Sequence, residues 1–81
     1  MHEILLSPQA TDEFRKLTPS ERNRAMNLMQ RIQRRASALK RRRVYSALLD
    51  TTLYLVQSAG LRLLFEINDS RAVILTVNPR S

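Results

Sequence analysis

Between Thr51 and Asn78 the chain reads TTLYLVQ, SAG, LRLLFEI, NDSR and AVILTVN, three strand-like runs divided by two short turn signals. Turns this short bring successive strands side by side and leave no length for a crossover, so the stretch predicts a three-stranded antiparallel meander. In the middle run Leu61, Leu63, Phe65 and Ile67 alternate with Arg62, Leu64 and Glu66. A strand of that pattern sends four apolar side chains to one face and two charges to the other. Arg62 therefore belongs to a sheet face, where its competing role is a salt bridge with Glu66. The only glycine, Gly60, falls in the first turn, where a positive φ is cheap for glycine alone.

The residues before the meander supply a strand and a helical hairpin. Glu3 to Leu6 is a short apolar run that stops at Ser7-Pro8, with serine placed to cap a helix and proline at its first position. Ala10, Phe14 and Leu17 then form one apolar stripe. Thr18-Pro19-Ser20-Glu21 restarts the helix as a T-x-x-E capping box. In the second helix Ala25, Leu28, Met29, Ile32, Ala36 and Leu39 repeat at three- and four-residue steps, a face suited to lying on a sheet. Helices are expected over about residues 8–17 and 19–37, and a mobile basic loop over about 38–50. The whole is one domain, residues 1–81, of class α+β: two N-terminal helices packed on one face of a four-stranded, mostly antiparallel sheet. Phe14, Ile32, Leu63, Phe65 and Val73 are expected to share its core. The first strand either returns beside the last or pairs centrally.

Charge is the second constraint. The formal net charge is +7, and Arg31 to Arg43 holds seven of the fourteen basic residues and no acid. A face that serves solubility mixes signs, whereas unmixed cations attract polyanions, so Arg34, Arg35, Lys40, Arg41, Arg42 and Arg43 are candidate RNA-binding residues. A hydrophobic content of 43% with clean periodicity argues against disorder outside this run. With no cysteine and one histidine, at position 2, no metal site or other cofactor is expected. Neither a membrane span nor a signal peptide can be read in the chain, which points to a cytoplasmic protein.

The chain resembles the RelE/ParE superfamily of toxin proteins. The likeness rests on the strand ending in Ser7-Pro8, the Ala10-x-x-x-Phe14-x-x-Leu17 helix, the Leu53-Tyr54-Leu55 strand, the block from Ser58 to Ile67, and Val77-Asn78-Pro79-Arg80. It implies a RelE-like mRNA interferase of a type II toxin–antitoxin system, a ribosome-dependent endoribonuclease that cuts messenger RNA and inhibits translation. Its partners would be mRNA, the ribosome and a cognate antitoxin protein. The alternatives within the resemblance are a ParE-like DNA gyrase inhibitor and a catalytically degenerate relative that binds RNA, the ribosome or an antitoxin. Arg62 matches the family's phosphate-contacting strand arginine and Arg80 the basic residue after the last strand. Tyr54 is the third catalytic candidate. RNA-cleaving members commonly carry lysines where this chain has Leu53 and Leu55, and a tyrosine or histidine in a segment beyond the last strand.

Overall fold

A computed structural model describes residues 3–35, 42–46, 51–68 and 70–79. The elements run β1 (Glu3–Leu6), α1 (Pro8–Lys16), α2 (Pro19–Arg35), β2 (Arg42–Ser46), β3 (Thr51–Ser58), β4 (Leu61–Asn68) and β5 (Arg71–Pro79). The meander forms as expected, β3 antiparallel to β4 and β4 to β5. One correction concerns its flanks. The sheet has five strands in the order β1-β5-β4-β3-β2, because Arg42–Ser46, expected within a mobile loop, pairs antiparallel with β3. Edge pairing needs only a free row of backbone groups on the neighbour, so a segment without strand alternation can still join. The sheet is also mixed: β1 lies parallel to β5, which settles the open question of its place.

Local chemistry sets the helix boundaries. Ser7 caps α1 by accepting from the Ala10 N–H at 3.1 Å. At α2 the Thr18 N–H donates to Glu21 Oε1 at 2.9 Å and the Glu21 N–H to Thr18 Oγ1 at 3.2 Å, satisfying two orphan donors reciprocally. Between β3 and β4, Ala59 (φ 55°) and Gly60 (φ 74°) make a tight two-residue turn with both central residues left-handed. Arg24 of α2 reaches over this turn and donates to the Ala59 carbonyl at 2.6 Å.

Both helices lie on one face. Ala10, Ala25, Leu28, Met29 and Ile32 meet Val56, Leu61, Leu63, Phe65, Ala72, Ile74 and Val77 in a single buried cluster, with Phe14 and Ile67 packed at its margin. Full burial of a side chain such as Phe65 or Ile32 stabilises by about 1.5–3 kcal/mol relative to exposure. The shortest dimension of the molecule, 20 Å, accommodates one helix layer and one sheet layer, each about 10 Å thick. Val73 does not share this core. It is half-buried and lies opposite Glu66, while its neighbours Ala72 and Ile74 are fully buried under the helices.

A β-bulge in β5 accounts for the rest of the strand's pattern. Leu64 pairs with Thr76 but Phe65 with Ile74, so Leu75 has no partner on β4. The inserted residue reverses the alternation: Ala72 and Ile74 face the helices before it, and Val77 after it. The bulge is tied to α1. Ser7 donates from its N–H to the Ile74 carbonyl at 2.9 Å and from Oγ to the Leu75 carbonyl at 3.0 Å. Glu13 Oε1 accepts from the Val77 N–H at 3.1 Å.

Candidate functional site

The sheet face away from the helices carries the candidate site. Arg62 is exposed there, as alternation from the buried Leu61 and Leu63 requires. Its direct cross-strand partners are Gln57 on β3 and Asn78 on β5. Directly opposite side chains on adjacent strands have Cβ atoms about 4.5–5.5 Å apart, so the three form one polar row, amide, guanidinium, amide. The next row on this face is Leu55, Leu64 and Thr76. Leu53, buried and paired with Val44 on β2, lies further along the same side of β3. Glu66 stands in another row, opposite Val73. Four strand positions separate it from Arg62, about 13 Å between Cα atoms, so the row of Arg62 is set apart from it.

Such a row suits a nucleic-acid phosphate. A guanidinium is a forked donor that engages two phosphate oxygens at once, and flanking amides both donate and accept. Among the described residues no cluster of three or more His, Cys, Asp or Glu is placed to hold a metal ion. No described helix is long and apolar enough to cross a membrane.

The remaining candidates are dispersed. Tyr54 lies opposite Phe65 with its ring stacked at 5.6 Å between centroids, on the helix side of the sheet. The sheet itself separates Tyr54 from Arg62, so the structure does not bring these two together. Arg43 on β2 pairs with Tyr54 and is exposed on that same side. Arg34 is exposed on α2, Arg35 ends that helix, and Arg42 opens β2 with its backbone opposite Leu55. Lys40, Arg41 and Arg80 lie outside the described residues.

Sequence reasoning passed over Gln57 and Asn78. Gln57 had a signal: a two-residue turn at Ala59-Gly60 dictates that position 57 opposes position 62. Asn78 had none, because without the bulge the pairing that begins at Asn68 and Arg71 would set Val77 against Arg62.

No protein-family model matches this sequence, and no curated protein does. Solved structures do match. A chain of the RelBE toxin–antitoxin complex from Mycobacterium tuberculosis superposes with a TM-score of 0.83 at 20% identity, over 98% of this chain and 98% of its own. The archaeal RelE–RelB complex from Pyrococcus horikoshii gives 0.78 at 15% identity, over 99% and 96%. The isolated E. coli RelE toxin gives 0.74 at 20% identity, over 100% and 86%. With two helices on one face of a mixed five-stranded sheet, matched end to end by these structures, the chain has the RelE-like α+β fold.

Proposed function

We propose that this chain is the toxin component of a toxin–antitoxin pair and acts in the cytoplasm as a ribosome-dependent endoribonuclease on messenger RNA. The observation that carries this reading is an exposed arginine, Arg62, at the centre of a polar row on the open face of a RelE-like sheet. Support also comes from the matched structures, several of which are toxin–antitoxin complexes. The net charge of +7 suits both a messenger backbone and an acidic antitoxin segment that folds on binding.

In the reaction a ribose 2′-oxygen attacks the adjacent phosphorus, the bond to the 5′-oxygen breaks, and a 2′,3′-cyclic phosphate remains. The 2′-hydroxyl proton goes to a base and the leaving 5′-oxygen takes one up. Arg62 stabilises the charge of the crowded phosphorane through paired N–H donors. A guanidinium does not exchange protons readily near neutrality, and Gln57, Asn78 and Thr76 around it have no such capacity. No described neighbour of Arg62 supplies the general acid–base contribution, about 10²–10⁴ in rate; it is assigned to the ribosome, and cleavage away from the ribosome is expected to be slow. Arg80, which follows β5 in sequence, is proposed to assist, and Lys40 to Arg43 with Arg34 and Arg35 to bind ribosomal or messenger phosphates.

The test is cleavage of a defined message on programmed ribosomes, with Arg62→Ala alongside. Cleavage confined to the ribosome and lost with Arg62 is the expected result; equal cleavage of free RNA, or full activity without Arg62, overturns the reading. One observation favours a second reading, a relative that binds RNA without cutting it: the row beside Arg62 is Leu55, Leu64 and Thr76, with no proton-transfer group. Ribosome binding that depends on Arg62 without any cleavage would select it.

A further inference from the structure

The bulge in β5 decides what stands beside Arg62. Continued without it, the pairing from Asn68 and Arg71 would present Val77 to Arg62 and bury Asn78 under the helices. With Leu75 inserted, Val77 enters the core and Asn78 turns to the open face, directly opposite Arg62. Bulges next to functional sites re-aim a side chain in this way. This one has its own fastening: Ser7 holds the Ile74 and Leu75 carbonyls, and Glu13 holds the Val77 N–H, one residue before Asn78. Gln57 is set on the other flank of Arg62 by the tight turn at Ala59-Gly60.

We propose that Asn78 and Gln57 read a nucleobase of single-stranded RNA whose phosphate is held by Arg62, with Glu13 and Ser7 as positioning residues for Asn78. The inference rests on the RNA-directed function above. Phosphate contacts fix a strand in place but carry no sequence information, which is read on base edges. A carboxamide presents one acceptor and two donors, the pattern that pairs with base edges, and bases of an unstacked single strand expose those edges. The adjoining Leu55 and Leu64 lie about 7 Å along the strands, an apolar floor on which the ring of that base rests while its edge meets the amides.

The test is fluorescence anisotropy of the full chain with four ten-nucleotide RNAs, oligo-A, oligo-C, oligo-G and oligo-U, at several salt concentrations. Wild type is expected to prefer one base. Asn78→Ala and Gln57→Ala should each shrink that preference by about 5- to 150-fold, the value of a good base-edge contact, without altering the salt slope. Glu13→Ala should shrink it in the same direction by loosening the bulge, whereas Glu13→Gln, which keeps an acceptor for the Val77 N–H, should restore it. Arg62→Ala should weaken all four RNAs alike and lower the salt slope by about 0.7. If wild type shows no preference, or the amide variants weaken all four RNAs equally or none of them, base reading is overturned while an Arg62-dependent loss leaves the RNA-directed function standing. If Arg62→Ala changes nothing, or no RNA binds, base reading falls, and cleavage on programmed ribosomes decides the RNA-directed function separately.

Discussion

Arg62 and Phe65 sit three positions apart on β4 and answer to opposite demands. Arg62 is exposed and stands among polar neighbours, so its removal should cost the fold little. Arg62→Ala should abolish growth arrest on expression, while stability moves by less than about 0.5 kcal/mol, under about 4 °C in Tm for a domain of this size. Phe65 is fully buried and stacked on Tyr54. Phe65→Ala should cost about 3–5 kcal/mol, a large fraction of the total stability of so small a domain, and thermal melting measures both outcomes. Tyr54→Phe keeps the stacked ring on the helix side of the sheet and should leave RNA cleavage on ribosomes close to wild type; a loss of cleavage on the scale of Arg62→Ala would return Tyr54 to the site.

At the scale of elements the hairpin β3–β4 and the strand β5 hold the polar row from its two sides. Ala59 occupies a left-handed conformation that L-residues with a Cβ resist. Asparagine tolerates it, and Asn-Gly is a favoured pair for a turn with two positive φ values, so Ala59→Asn should raise stability by about 0.5–1 kcal/mol. An unchanged melting temperature would mean that the Arg24 hydrogen bond to the Ala59 carbonyl, not local preference, governs this turn. On the other side, Glu13→Ala leaves the part-buried Val77 N–H without its acceptor, which should cost about 1–3 kcal/mol. The expected signature in hydrogen exchange is faster exchange confined to the end of β5, since the β4–β5 pairing survives.

Over the whole molecule, charge and layer order act together. The helices cover one sheet face, and three of the exposed arginines fall on different sides: Arg62 on the open face, Arg43 on the helix side of β2, Arg34 on α2. A chain with basic residues so distributed is suited to being surrounded by phosphate rather than to lying on a flat polyanion. Neutralising Lys40, Arg41, Arg42 and Arg43 together should flatten the salt dependence of ribosome binding by about 0.7 for each phosphate no longer neutralised, with melting nearly unchanged. An unaltered salt slope would show these residues to be a solvated face alone.

Whatever depends on neighbours in the chain is written in the order of residues alone. The caps at Ser7 and Thr18, the turn at Ala59-Gly60, the three strands of the meander and the alternation that exposes Arg62 all follow from local hydrogen bonding and side-chain period. The side of the sheet on which Tyr54 lies was legible too, since a two-residue turn dictates its pairing with Phe65. Assembly of the sheet settled the parallel docking of β1 on β5, the recruitment of Arg42–Ser46 as a fifth strand, and the insertion of Leu75, which puts Ala72 and Ile74 rather than Val73 on the core face with Val77 and sets Asn78 beside Arg62. These depend on backbone groups offered by residues distant in sequence: a free edge on β3, a free edge on β5, and the Ser7 and Glu13 hydrogen bonds that fasten the bulge. No periodicity within a strand records what its edge will meet, and for that reason the residues around Arg62 became known only once the sheet was assembled.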